Sequence, residues 1–427
     1  MTTVDALRAV ESLRSGVPSR KVAARYPFGR QRLLDAINDD FAALERGEAR
    51  GRLRLVCAQY GDGKSHALQA IWNVAEQREW TVSFISLSSE TKLSSMGQIY
   101  RKLVQNTYTP RTDQPGIKRM IERHRSSAPE ALHSFAEERL HSRLRLVVQN
   151  ILYGGNPHLV PIFQSDVEGE FAKISDLRKW SDRAAGIAPP KFEPFREERD
   201  VIHYYRLVDY LSSHVMGNGW LILLDELEML RGLGKKSRMQ AYANLLQLAT
   251  DPDLAHTYIV TALAQSYVDE VQIDDPARIA DLRAAGNTEL ADQAGRASDF
   301  LRAEERSARL PRLERADLIA ALANVIEDHA QAYEWQPSTS PEQLYDFIDK
   351  RLPPDRQLRN VIRGAIYWLD ITLQYGHPPT DFAVGAALQQ RSNEEDDEPD
   401  EPTLLGDLPG TGRARTRRRN LLTGEID

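Results

Sequence analysis

The sequence predicts an α/β fold in which a parallel sheet alternates with helices and presents the carboxyl ends of its strands to a ligand. Three observations carry this prediction. A short apolar run, residues 53–57, leads into the glycine-bearing turn Ala58-Gln59-Tyr60-Gly61-Asp62-Gly63-Lys64-Ser65, which opens a helix-prone segment, residues 66–76. A second apolar run, residues 220–224, ends in two adjacent carboxylates, Asp225 and Glu226. Further apolar runs at residues 82–87 and 257–263 are separated from these by stretches of helical periodicity.

Bulk properties narrow the class. A chain of 427 residues has room for two or three domains. Its 41% hydrophobic and 27% charged content is that of an ordinary globular protein. A net charge of −7 gives no global sign of nucleic-acid binding. Cys57 is the single cysteine, which excludes a disulfide framework and fits a reducing compartment. The first residues carry spaced charges and no apolar export core, and the longest apolar run is far too short for a bilayer. A cytoplasmic location with no membrane partner is expected.

Residues 1–50 form a helical segment. Val4, Leu7, Val10 and Leu13 keep helical spacing, Gly16-Val17-Pro18-Ser19 breaks it, and Leu33, Leu34, Ile37, Phe41 and Leu44 resume it. Arg14, Arg20, Lys21, Arg25, Arg30 and Arg32 make this segment basic. Either they are a solvated helix face, or they dock nucleic acid or a partner.

Residues 51–270 are the nucleotide-binding core. The turn after the first strand suits phosphate: its N–H groups make an anion nest and the following helix adds positive potential. Tyr60, Gly61, Asp62, Gly63, Lys64, Ser65 and His66 are the cradle residues. Lys64 is expected on the β- and γ-phosphates and Ser65 on Mg²⁺. Ala58 stands where this pattern opens with glycine, and alanine tolerates positive φ less well. Residues 110–198 read as a mainly helical insertion. The apolar strand at 220–224 then places Asp225 to hold Mg²⁺ and Glu226 to polarise the attacking water. At the end of the strand at 257–263, Thr261 or Gln265 is placed to sense the γ-phosphate.

Residues 271–312 read as a helical connector and 313–385 as a small all-helical lid. Ser340-Pro341-Glu342-Gln343 is a capping box with proline at the first helical position. Pro353-Pro354-Asp355 opens a last helix whose first turn holds Arg356 and Arg359, an arginine there being able to reach the nucleotide's phosphates. Residues 386–427 carry an acidic run, residues 394–398, then a basic one, residues 413–419, and are expected to be disordered. HExxH, CxxC and GxSxG do not occur and the ten histidines lack ligand spacing, so zinc and serine-hydrolase chemistry are not indicated.

Phosphate turn, acidic strand end, polar sensor strand and helical lid together resemble an AAA+ ATPase, a P-loop NTPase of the origin-recognition and initiator-like group. The opening residues 6–20, ALRAVESLRSGVPSR, resemble those of the ATP-binding proteins of bacteriophage-exclusion (BREX) systems. So do Tyr60-Gly61-Asp62-Gly63-Lys64-Ser65-His66 and Leu224-Asp225-Glu226-Leu227-Glu228. The resemblance implies an ATPase with cofactors ATP and Mg²⁺, acting on double-stranded DNA in phage defence. It implies a homo-oligomer or a complex with other defence proteins such as a helicase. It matches Lys64 and Ser65 to nucleotide contacts, Asp225 and Glu226 to the magnesium-holding and water-activating pair, and Arg356 to a lid arginine. Arg231, Arg238 and Arg312 are candidates for an arginine given to a neighbouring subunit. Too few residues follow the lid for the initiators' winged-helix DNA-binding domain. The alternatives are a nucleotide-gated scaffold with little hydrolysis, or a loader or regulator of a partner helicase.

Overall fold

A computed structural model describes residues 2–379 apart from 17–18, 27–28, 49–51, 113, 155, 157, 182–192, 271, 306–307 and 352–357. Arg356 and the expected tail at 386–427 lie outside the described residues.

The chain opens with α1 (Thr3–Ser15), capped by the Thr2 hydroxyl, which accepts the Asp5 N–H. Gly16 ends it at φ +73°, a left-handed turn that suits glycine. Next come α2 (Arg20–Arg25) and α3 (Gln31–Glu45). Strand β1 (Arg52–Ala58) feeds α4 (Lys64–Gln77), β2 (Thr81–Ser86) and α5 (Met96–Gln105). A two-residue strand β3 (Thr107–Tyr108) turns back antiparallel to β2.

The insertion is helical. It holds α6 (Lys118–Ser127), α7 (Pro129–Arg139), α8 (Ser142–Tyr153), α9 (Val160–Ser165), α10 (Ile174–Trp180) and α11 (Glu197–Asp200). Then follow α12 (Ile202–Leu211), β4 (Trp220–Asp225), α13 (Lys235–Thr250), β5 (Thr257–Ala264) and α14 (Gln265–Glu270). The remaining helices are α15 (Asp275–Ala284), α16 (Thr288–Glu304), α17 (Arg315–Tyr333), α18 (Pro341–Asp349) and α19 (Leu358–Tyr375). The predicted capping box is present, with Ser340 and Gln343 bonding each other's N–H groups.

The sheet order is β1-β5-β4-β2-β3, parallel throughout except for β3. All six residues of β4 and all eight of β5 are buried, as continuous apolar runs require in a sheet covered on both faces. Alternate residues sort by face. Leu221, Leu223, Val260 and Ala262 pack with α3 and α4, while Ile222, Leu224, Ile259 and Leu263 join the core of α5, α12 and α13. The outer edge of β1 is covered by an irregular segment: Cys57 donates to the Ala308 carbonyl at 2.9 Å and accepts from Leu310 at 2.7 Å.

Two expectations change. The segment read as a connector supplies Ala294, Ala297 and Leu301 to the same core as the sheet. The N-terminal segment is divided between two cores. Ile37, Phe41 and Leu44 of α3 pack on the sheet, whereas Val10, Leu13 and Val22 pack with Leu322, Val325, Ile362 and Leu369 of the helical lid. Most of its arginines are used inside the chain. Arg14 pairs with Asp370 at 2.8 Å, Arg20 with Glu76 at 3.0 Å, and Arg25 with the fully buried Asp328, whose other neighbour is the Tyr26 hydroxyl. The excess of positive charge seen in the sequence is therefore largely ion-paired rather than displayed.

One buried carboxyl sets a pH dependence. Asp209 in α12 accepts the His256 N–H at 3.0 Å and the Thr257 hydroxyl at 2.6 Å, and burial pushes it up to about 7. It stays protonated in the folded chain where the unfolded chain has already ionised, so its contribution to stability falls as pH rises from about 4 to about 7. Asp209→Asn keeps the acceptor oxygen and cannot ionise. Across that window the variant should gain on the parent by about 1.4 kcal/mol per pH unit, read as denaturation midpoints at pH 5 and pH 8.

Candidate phosphate-binding site

The turn after β1 has the backbone that an anion nest requires. Gly61 and Gly63 sit at φ +83° and +86°, left-handed conformations that a side chain strains. Ala58 does not: it is the last residue of β1, buried and paired with Ala264. Alanine therefore costs nothing there, because the turn begins after it. α4 starts at Lys64, which aims the helix N-terminus at the turn.

The turn is braced from behind. Arg30 is 3% exposed and donates to the Asp62 carbonyl at 2.7 Å and the Pro311 carbonyl at 2.8 Å. Sequence reasoning grouped Arg30 with surface arginines and missed this role. Nothing in its local pattern marks it, since both partners are main-chain atoms distant in sequence.

The acidic strand end meets the turn. Ser65 lies beside the Asp225 carboxyl, whose pKa burial raises. Glu226 follows at φ +59°, ψ +44°, a left-handed conformation costing a non-glycine residue roughly 1–2 kcal/mol. Its N–H bonds Asp225 Oδ1 at 3.0 Å. Burial and the neighbouring Glu228 and Asp225 carboxylates push Glu226 up to about 7. Lys64, with its side chain 5% exposed, lies 3.2 Å from Glu228 Oε1. Glu228 was quoted in the sequence without a role; it lies in a tight helical turn, Leu227–Gly232, that follows the strand end.

A cleft opens over these groups. Its polar lining is Gly61, Gly63, Lys64, Ser65 and Glu226. Its apolar lining is Leu13, Val22, Leu358 and Ile362 from the N-terminal helices and the lid. Tyr60 stands half-exposed at the rim, its ring 5.6 Å from Lys64 Nζ and 5.9 Å from the Arg359 guanidinium. Arg359 lies in the first turn of α19 and lines the cleft, and its N–H reaches the Gly61 carbonyl at 3.4 Å.

The other sequence candidates fall elsewhere. His66 lines the cleft, but its Nε2 bonds the Tyr26 carbonyl at 2.6 Å, and burial lowers its pKa to about 4. A neutral ring donating to a carbonyl ties α4 to the N-terminal segment. Thr261 is fully buried in mid-strand beside Leu55 and Leu224, and it is not among the residues lining the cleft. Gln265, the other sensor candidate, lines a separate cavity with Gln59, Asp62, Arg309 and Arg312. Arg238 is 2% exposed and paired with Asp275 at 2.9 Å, so it is not available to a neighbouring subunit. Arg312 is near its own chain's Gln59, at 3.5 Å.

Glycine turn, lysine-led helix and carboxylates on a strand separated from β1 by β5 make this a P-loop α/β fold. Residues 3–153 match the family described as BREX system ATP-binding protein BrxC/D. The resemblance to BREX ATP-binding proteins read from the sequence is thus found in a stretch that contains α1 and the whole phosphate turn. Among solved structures, "The walker-type atpase paby2304 of pyrococcus abyssi" is similar, at 12% identity and a TM-score of 0.35, over 83% of this chain and 72% of that one. No curated protein matches. No described helix is long and apolar enough to cross a membrane.

The residues present fit Mg²⁺. Ser65 and Asp225 offer neighbouring oxygen donors, and this hard cation is usually held by one or two protein oxygens plus substrate phosphates and waters. Among the described residues no group of three or more His, Cys, Asp or Glu is arranged to hold a metal without a substrate's help.

Proposed function

We propose that the chain is an Mg²⁺-dependent ATPase of phage defence whose nucleotide joins the sheet to the helical lid. The observation that carries the reading is the meeting of Lys64, Ser65 and Glu226 in a cleft also lined by Leu13, Val22 and Ile362, with Asp225 beside Ser65. The polar lining suits a triphosphate and the apolar lining a purine.

In this reading the turn's N–H groups and Lys64 hold the β- and γ-phosphates. Ser65 and Asp225 hold Mg²⁺, which when bound neutralises phosphate charge. Glu226 orients the attacking water and takes its proton, its burial among carboxylates making it a base of near-neutral strength. Arg359, from the lid, lines the same cleft, so closure of α19 and occupancy of the cleft favour each other. DNA as substrate, a homo-oligomer and a partner helicase follow from the family resemblance, and the family matched at residues 3–153 supports ATP as the nucleotide.

Phosphate release measured with and without double-stranded DNA tests the reading. Turnover that depends on Mg²⁺ and rises with DNA is expected, with DNA binding that weakens as salt rises. Arg359→Ala should slow turnover by roughly 10-fold to 100-fold, as loss of one charge-stabilising donor does. Binding of ATP without phosphate release under any of these conditions would instead favour the nucleotide-gated scaffold.

A further inference from the structure

Glu228 enters the chemistry above only through its charge beside Glu226, yet it makes two contacts that cross the site. Its Oε1 lies 3.2 Å from Lys64 Nζ. Its Oε2 accepts the N–H of Ala264 at 3.0 Å. Ala264 is the last residue of β5, and α14 begins at the next residue. One carboxylate therefore bridges the phosphate loop's cation and the point where the chain leaves β5. Both side chains of the ion pair are largely buried, at 5% and 15% exposure.

We propose that Glu228 is a positioning residue that parks Lys64 while the cleft is empty, yields it to the incoming phosphates, and thereby reports occupancy to the end of β5. The proposal rests on the reading of Lys64 as a phosphate-binding residue. Its physical basis is competition. The Lys64 ammonium faces Glu228, and a triphosphate brings several more negative charges to the same cation. Glu228 and the γ-phosphate repel each other as they compete for it, so the carboxylate must move. The Ala264 N–H then loses its acceptor, and the β5–α14 junction is freed.

The direction of the effect separates this role from ordinary structural support. Removing a supporting residue weakens binding, whereas removing a competitor strengthens it. Glu228→Gln should bind ATP and ADP about five-fold more tightly than the parent, a ratio set by the loss of a single ion pair. Calorimetric titration reads this, with Lys64→Ala as the reference. In the unaltered protein, ATP should speed amide hydrogen exchange over residues 264–270. In Glu228→Ala the same segment should exchange quickly without nucleotide. Equal or weaker binding by Glu228→Gln, with binding lost in Lys64→Ala, overturns the proposal and leaves the nucleotide site standing. Unchanged binding in Lys64→Ala overturns the site assignment itself. Should the Glu228 variants fail to fold, exchange in the unaltered protein still decides: no change over residues 264–270 at saturating ATP overturns the proposal.

Discussion

Lys64→Ala should abolish ATP turnover, lowering it by at least roughly 10²- to 10³-fold, and should weaken ATP binding as well. The side chain is the cation of the turn, and the groups around it, Asp225, Glu226 and Glu228, are all acidic. Without it, a triphosphate would meet these carboxylates with only main-chain N–H groups, Mg²⁺ and the lid's Arg359 to offset the charge. The substitution also leaves Glu228 buried without its cation, at a cost of about 1–3 kcal/mol, so thermal melting should be recorded beside activity. Unchanged turnover in a folded Lys64→Ala protein would refute the site assignment.

Glu226→Gln should separate binding from chemistry. Turnover should fall by about 10²- to 10⁴-fold, the range for loss of a general base, while ATP binding is kept. The amide occupies the same strained position, where the chain holds Glu226 at φ +59°. It also removes a carboxyl from a cluster that burial and like charge already disfavour. Single-turnover phosphate release with pre-bound ATP reads the chemical step alone. A normal rate there would show that another group activates the water.

Both predictions depend on residues that were legible in the sequence. Gly61, Gly63, Lys64 and Ser65 declare themselves because an anion nest is local: positive φ needs glycine, and the helix must start where the turn ends. Asp225 and Glu226 declare themselves because a buried parallel strand is apolar until it reaches the ligand edge. The four parallel β-strands were legible for the same reason, and their observed limits differ from the expected ones by a residue or so, whereas the two-residue β3 was not expected. Periodicity also found most of the helices, because each face buries a stripe against something, whatever that something is.

The identity of that something was settled by packing. The spacing of Val10 and Leu13 shows a buried face but not that it lies against the lid rather than the sheet. Arg30 and Arg25 have the same composition signal as a solvated arginine, yet one braces the phosphate turn and the other meets the buried Asp328. Thr261 looked like a sensor because strand ends face ligands, but register with Leu224 places it short of the end and fully buried. Local rules of backbone conformation and hydrophobic period fixed the phosphate turn, the acidic strand end and the α/β class from sequence alone. Which helices close the cleft, which arginine reaches it and which carboxylate holds Lys64 were decided only by tertiary structure, because those are contacts between segments far apart in the chain, and no local pattern encodes a distant partner.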